Sequence, residues 1–182
     1  WLRCVYDAYF DLRGMCSEVY VSGLSLGGIL ALCIAGDYAP ERIALLAPAI
    51  INTDKGIYLT PILRYFVGSI ASTYEAQGQD MENPDIQYLA EEYWSRRWLG
   101  PSSQVLATQL YARRRLGRIV ADTLIVLSRN DTTVPLTAGK LIERSIKSET
   151  RRTVVLDESK HNLLSHVEKA RVVHEVVEWF SR

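Results

Sequence analysis

The chain has 182 residues, 48% of them hydrophobic, and its 21 basic and 21 acidic residues balance to a net charge of zero. This length suits one domain with a sizeable core, and the balanced charge predicts no nucleic-acid partner. No apolar run reaches membrane-spanning length and no signal peptide opens the sequence, so we expect a cytoplasmic protein without stable membrane insertion. Cys4, Cys16 and Cys33 lack metal-ligand spacing and are predicted to be free thiols.

The first elements predict a βαβ unit. Residues 1–13 place apolar side chains at helical spacing, and Gly14 marks the end of that helix. A short strand over 18–22, an apolar helix over 26–36 and a second apolar strand over 42–48 follow. Because such units are joined tightly and in a right-handed sense, the two strands are predicted to be parallel.

Residues 50–118 differ in character and are interpreted as a small helical cap inserted into the single domain 1–182. Helical patches are predicted around 61–67, 85–97 and 102–116, with turn residues between them. Tyrosine and tryptophan are concentrated here, at Tyr58, Tyr65, Tyr74, Tyr88, Tyr93, Trp94, Trp98 and Tyr111. These rings either line an apolar acyl pocket or merely pack the insertion onto the main domain. Whether the segment forms a lid is equally open.

The regular pattern returns after the insertion. A strand over 123–128, typical of one buried on both faces, is followed by a loop and a helix over 136–145. The last strand spans 151–156, and an amphipathic helix over 166–180 closes the chain. The alternation of strands and helices predicts an α/β fold with a mostly parallel sheet.

The segment Gly23-Leu24-Ser25-Leu26-Gly27 fits the G-x-S-x-G pattern of a nucleophile elbow. A strand that turns sharply into a helix holds its corner residue in a strained conformation with the side chain exposed. Gly23 and Gly27 are predicted to let the strand and helix approach closely. Ser25 is then the candidate nucleophile, and the backbone N–H of Leu26 the candidate oxyanion donor.

A serine nucleophile needs a histidine base in a loop at the carboxyl end of a strand. Of the three histidines, His166 and His174 fall on the predicted final helix, where a packing or surface role is expected. His161 lies in the loop that leaves the last strand and is the candidate base.

The candidate acid is Asp131, in the loop that leaves the preceding strand, although an N-terminal helix cap is an alternative role for it. Asp54, after the second strand, is a weaker rival. Asp157 and Glu158 are close to the histidine in sequence, but their loop is expected to point them to solvent.

These blocks resemble those of α/β-hydrolases, most closely the bacterial carboxylesterase and monoacylglycerol lipase group. Besides the serine segment, they comprise Asn130-Asp131-Thr132-Thr133-Val134-Pro135 and Lys160-His161-Asn162. The order Ser, Asp, His along the chain is that of this fold. The resemblance implies an ester hydrolase with Ser25 as nucleophile, Asp131 as acid and His161 as base. It implies a small acyl ester as substrate and no cofactor or metal.

The chain departs from the family pattern at its start. Family members carry strands before the first helix and an N-terminal loop that supplies a second oxyanion donor, and neither is present in these 182 residues. The strand before Ser25 would then have an unpaired edge. We therefore expect the chain to be a C-terminal portion of a longer hydrolase, and poorly active or inactive alone unless another chain covers the edge.

Two alternatives remain open at the level of sequence. The same fold and residues serve thioester, lactone and carbon–carbon hydrolysis, so the motifs do not separate these reactions from ester cleavage. A degenerate fold acting as a non-catalytic binding module is the other alternative, supported by the missing oxyanion loop. The oligomeric state is not predicted.

Overall fold

The computed structural model describes residues 1–72 and 95–182. The six helices in these ranges are α1 (Leu2–Met15), α2 (Leu26–Tyr38), α3 (Thr60–Leu63), α4 (Leu99–Arg113), α5 (Thr137–Ser145) and α6 (Lys169–Phe180). The strands are β1 (Tyr20–Leu24), β2 (Arg42–Leu46), β3 (Ser69–Ala71), β4 (Arg96–Trp98), β5 (Asp122–Ser128) and β6 (Arg151–Leu156). Short 3₁₀ turns lie at Lys55–Leu59, Leu116–Arg118 and Leu163–Ser165. Within the same ranges, no helix is both long and apolar enough to cross a membrane.

The main sheet has four parallel strands in the order β1-β2-β5-β6. The predicted βαβ unit is confirmed, because β1 and β2 pair in parallel with α2 between them in sequence. Leu24, the last residue of β1, lies opposite Leu46, the last residue of β2. The strand ends therefore align at one edge, where the connecting loops meet. Among the described residues β1 pairs with β2 alone and so stands at the side of the sheet.

The alternation of side chains along the strands divides the core between the two faces of the sheet. Ile43 and Leu45 of β2 face a cluster that includes residues of α2, α4 and α5. Ala44 and Leu46, one residue out of phase, face a second cluster that α6 covers with Val172 and Trp179. The central strands are therefore buried on both faces, as the apolar run at 123–128 predicts.

A polar cluster around Asp37 joins α1 and α4 to the end of α2. Its carboxylate accepts hydrogen bonds from the hydroxyls of Tyr6 at 2.7 Å and Tyr111 at 2.9 Å, and from Nε of Arg115 at 2.6 Å. Burial alone would raise the pKa of Asp37, but these three donors outweigh it and the pKa is lowered. The same burial raises the pKa of Tyr6.

Several predicted bounds are corrected. The strand before Ser25 spans Tyr20–Leu24 rather than 18–22, because the chain stays extended through Gly23 up to the corner. The last helix begins at Lys169, so His166 lies ahead of it, after a 3₁₀ turn. The helices predicted at 61–67 and 102–116 are observed as α3 and α4, with shifted bounds.

The segment between β2 and β5 contains an antiparallel ribbon that the sequence pattern did not indicate. Strands β3 and β4 pair with Ser69 opposite Trp98 and Ala71 opposite Arg96. The predicted helix at 85–97 is therefore wrong over its last residues. Residues 85–94 of that prediction lie outside the described ranges, as do Tyr74, Tyr88, Tyr93 and Trp94. A three-residue strand is too short to show a period of two, which is why the pattern missed it.

Candidate active site

Ser25 sits at the corner between β1 and α2 with a positive φ of 54° and a ψ of −111°, a backbone conformation that residues other than glycine rarely adopt. A non-glycine residue pays about 1–3 kcal/mol for such a conformation, which persists only when the surroundings hold it. Here the N–H of Ser25 donates to the carbonyl of Leu46 at 2.9 Å, and its own carbonyl accepts from the N–H groups of Ile29 and Ala49. Hydrogen bonds to α2 and to the end of β2 with its following loop thus hold the strained corner.

The glycines around this corner have unequal roles. A Cβ added to Gly23 would lie 2.2 Å from the carbonyl carbon and oxygen of Gly27, closer than any real contact. A Cβ on Gly28 would lie 2.9 Å from Cα and Cβ of Pro48. A Cβ on Gly27 would meet nothing within 4 Å. Strand and helix therefore approach closely through Gly23, as predicted, and Gly28 allows the approach of Pro48, whereas the predicted need for a small residue at Gly27 is wrong.

His161 connects the two other sequence-predicted side chains. Its Nε2 lies 2.8 Å from Oγ of Ser25, and its Nδ1 lies 2.8 Å from Oδ2 of Asp131. An ionised carboxylate can only accept, so Nδ1 carries the proton and Nε2 is left to accept from the serine hydroxyl. The imidazole side chain is 13% exposed and the carboxylate is fully buried. Three side chains from three separate loops thus form one continuous hydrogen-bonded chain.

The loop that carries Asp131 fixes its carboxylate. Oδ1 accepts from the backbone N–H groups of Thr133 at 2.7 Å and Val134 at 2.8 Å, which leaves Oδ2 for the histidine. The alternative role of Asp131 as a cap is therefore also present, because its carboxylate accepts hydrogen bonds from the turn before α5 while it holds His161. One short side chain thus orders its own loop and orients the imidazole.

The rival side chains have other partners. Asp54 pairs with Arg97 and accepts from the N–H of Gly56, so its carboxylate has partners other than His161. Asp157 pairs with Arg129 on the surface at 2.8 Å, and Glu158 is exposed, as expected. His174 is exposed on α6.

Leu26 is the first residue of α2, so its N–H belongs to the set that an α-helix leaves without an intrahelical acceptor. These N–H groups lie at the positive end of the helix dipole, directly after Ser25. The arrangement can therefore stabilise negative charge that develops beside the serine hydroxyl.

Helix α4 contacts the loop after β2 next to Ser25. Gln109 of α4 is buried, and its Nε2 donates to the carbonyl of Ala49 and, at 2.8 Å, to Oδ1 of Asn52. Asn52 donates in return to the side-chain oxygen of Gln109. Since the N–H of Ala49 also donates to the carbonyl of Ser25, this amide pair links α4 to the corner residue through one loop. Sequence reasoning missed this pair, because neither residue belongs to a motif.

Sequence reasoning also missed a polar group behind the histidine loop, formed by Ser128, Ser159 and Glu168. Ser128 and Ser159 are 1% and 0% exposed. Burial alone would raise the pKa of Glu168, but hydrogen bonds from the Ser159 hydroxyl and from backbone N–H groups lower it to about 2. A polar residue at the end of the apolar run 123–127 was the available signal for Ser128.

Comparison with known proteins agrees with this architecture. The model of the alpha/beta hydrolase family matches residues 2–176. A thermostable monoacylglycerol lipase from Bacillus sp. strain H-257 is 27% identical over 188 residues, a match that covers all of this chain and 70% of the lipase.

Solved structures of similar fold include lipolytic enzymes. One, from a study of the metagenome-derived lipolytic enzymes LipS and LipT, superposes with a TM-score of 0.84 at 18% identity, covering 98% of this chain and 71% of the other. The monoacylglycerol lipase of Paleococcus ferrophilus superposes with a TM-score of 0.76 at 17% identity, covering 96% and 72%. At such identities the superpositions show only that the folds are alike, and they confirm the α/β-hydrolase fold predicted from the sequence.

Proposed function

Because the chain belongs to the alpha/beta hydrolase family, we propose that it is a serine hydrolase that cleaves carboxylic esters through an acyl-enzyme. The observation that carries the proposal is the hydrogen-bonded chain from Ser25 through His161 to Asp131, with the serine held at φ 54°. The monoacylglycerol lipase relative from Bacillus sp., 27% identical to this chain, supports an ester of a fatty acid as the substrate class.

In the first half-reaction Oγ of Ser25 attacks the ester carbonyl carbon while Nε2 of His161 takes the hydroxyl proton. The carbonyl oxygen becomes an oxyanion, which the N–H of Leu26 stabilises. Asp131 stays ionised and holds the imidazolium through Nδ1. The imidazolium then gives its proton to the alkoxy oxygen as the carbon–oxygen bond breaks, so that an alcohol leaves and an acyl-serine remains.

In the second half-reaction water attacks the acyl carbon while His161 takes one of its protons. The tetrahedral intermediate collapses, the acid leaves, and the proton passes from His161 back to Oγ of Ser25. The enzyme returns to its starting state without a cofactor, since every proton is moved by the same imidazole.

The test is covalent labelling of the protein with a fluorophosphonate together with hydrolysis of p-nitrophenyl esters of increasing chain length. Ser25→Ala should abolish both labelling and turnover. Ser22→Ala, which removes an exposed hydroxyl three residues earlier, should retain both. Labelling that persists in Ser25→Ala, or turnover equal in both variants, would refute the assignment.

A substrate panel separates ester cleavage from the related reactions. Monoacylglycerols and p-nitrophenyl esters should be cleaved with a higher kcat/KM than the matching thioesters or lactones. A preference for a thioester or lactone would move the proposal to that reaction. Absence of labelling and of turnover on every substrate, even when the N-terminal strands and oxyanion loop that family members carry are supplied, would instead support a binding module.

A further inference from the structure

We propose that Glu168 and Ser128 are positioning residues that clamp the His161 loop against the Asp131 loop; this inference rests on the function proposed above. Among the described residues, neither side chain forms a hydrogen bond with Ser25, His161 or Asp131, and both bind the backbone of the loops that carry the histidine and the aspartate. The clamp consists of Glu168, Ser128 and Ser159.

Glu168 holds the histidine loop from one side. One carboxylate oxygen, Oε2, accepts from the N–H of Glu158 at 3.0 Å, the N–H of Ser159 at 2.8 Å and the hydroxyl of Ser159 at 2.8 Å. Its side chain is only 15% exposed, so water competes weakly for these donors. Bonds to a charged acceptor are roughly twice as strong as neutral ones. The residues just ahead of His161 are thereby fixed to the start of α6.

Ser128 joins that loop to the acid loop. It is the last residue of β5 and lies opposite Leu156, the last residue of β6. Its buried hydroxyl donates to the carbonyl of Ser159 and accepts from the N–H of Asn130 at 3.3 Å. One oxygen atom thus bridges the backbone one residue before Asp131 and the backbone two residues before His161.

The clamp sets the distance on which the chemistry depends. The imidazole must keep 2.8 Å contacts with both Ser25 and Asp131, although its loop reaches them from a third strand. A misplacement of about 1 Å at such a site can cost on the order of 100-fold in rate. Loss of the clamp should therefore lower turnover without weakening ground-state binding of the substrate.

The test compares Glu168→Ala, Glu168→Gln and Ser128→Ala with Glu178→Gln, the same glutamate replacement on the exposed side of α6. We expect kcat on a p-nitrophenyl ester to fall about 10–100-fold in Glu168→Ala. A smaller fall is expected in Glu168→Gln, which keeps one acceptor, and in Ser128→Ala. KM should stay within about twofold in every variant, and Glu178→Gln should match the native protein.

A proton NMR signal from the Nδ1–H of His161, held by Asp131, gives a readout independent of turnover. This downfield signal should broaden or vanish in Glu168→Ala and persist in Glu178→Gln. If the protein proves not to be an ester hydrolase, kcat has no meaning but the signal still tests the clamp. An unchanged signal in folded Glu168→Ala would overturn the inference. If Glu168→Ala does not fold, an unchanged signal in both Glu168→Gln and Ser128→Ala would overturn it instead.

Discussion

Replacing Gly23 with alanine should destabilise the protein far more than the same replacement at Gly27. A Cβ at Gly23 would lie 2.2 Å from backbone atoms of Gly27 and 2.7 Å from the N of Gly28. Because those atoms are backbone, no rotamer change relieves the clash, and β1 and α2 must separate by about 1 Å. Overpacking of this kind lowers the free energy of unfolding by about 1–3 kcal/mol.

Gly27→Ala is the matched control. A Cβ there meets nothing within 4 Å, and alanine favours a helix over glycine by about 0.5–1 kcal/mol. The control should therefore be as stable as the native protein or slightly more stable. Urea unfolding followed by circular dichroism measures both variants. Equal destabilisation of the two, or a Gly23→Ala variant as stable as the native protein, would refute the packing argument for this corner.

Three further changes test other parts of the structure. Asp131→Asn should lower kcat about 10⁴-fold with the fold intact, because the amide cannot hold His161 in the required tautomer; a loss below tenfold contradicts this role. Asp37→Asn should cost about 2–4 kcal/mol of unfolding free energy, against under 0.5 kcal/mol for Asp7→Asn in an exposed pair. Since the folded-state pKa of Asp37 is lowered, this cost should be complete above the ordinary value of 3.8 and shrink as the pH falls below it. Burial raises the pKa of the Cys33 thiol to about 12, so a thiol reagent should label the two exposed cysteines at once and Cys33 only on unfolding.

Much of the site could be predicted because parallel strands bring their carboxyl ends together. Ser25, Asp131 and His161 each follow a predicted strand, and that position alone favoured His161 over the two other histidines. Their mutual contacts required coordinates, since spacing along the chain does not fix how a loop folds back. Their roles in a reaction stay predictions until the variants are measured.

The parts that could not be predicted depend on contacts between distant residues. Glu168 looked like an ordinary solvent-facing residue near the start of an amphipathic helix, and nothing in the local pattern tied it to Ser159. Gly23 and Gly27 occupied equivalent places in the motif, and only the approach of β1 to α2 distinguishes them. The ribbon of β3 and β4 was missed because its strands are short and lie 24 residues apart.

One face of the main sheet is covered by α6, which comes after all four strands of that sheet along the chain. Ala44, Leu124 and Val126 pack against Val172 and Trp179 of α6. During synthesis these strand residues therefore lack this packing until α6 has left the ribosome. The nascent chain therefore exposes an apolar surface to chaperones until this helix has emerged. The imidazole reaches its working position only at the end of that period, because the carboxylate that anchors its loop arrives with the same helix.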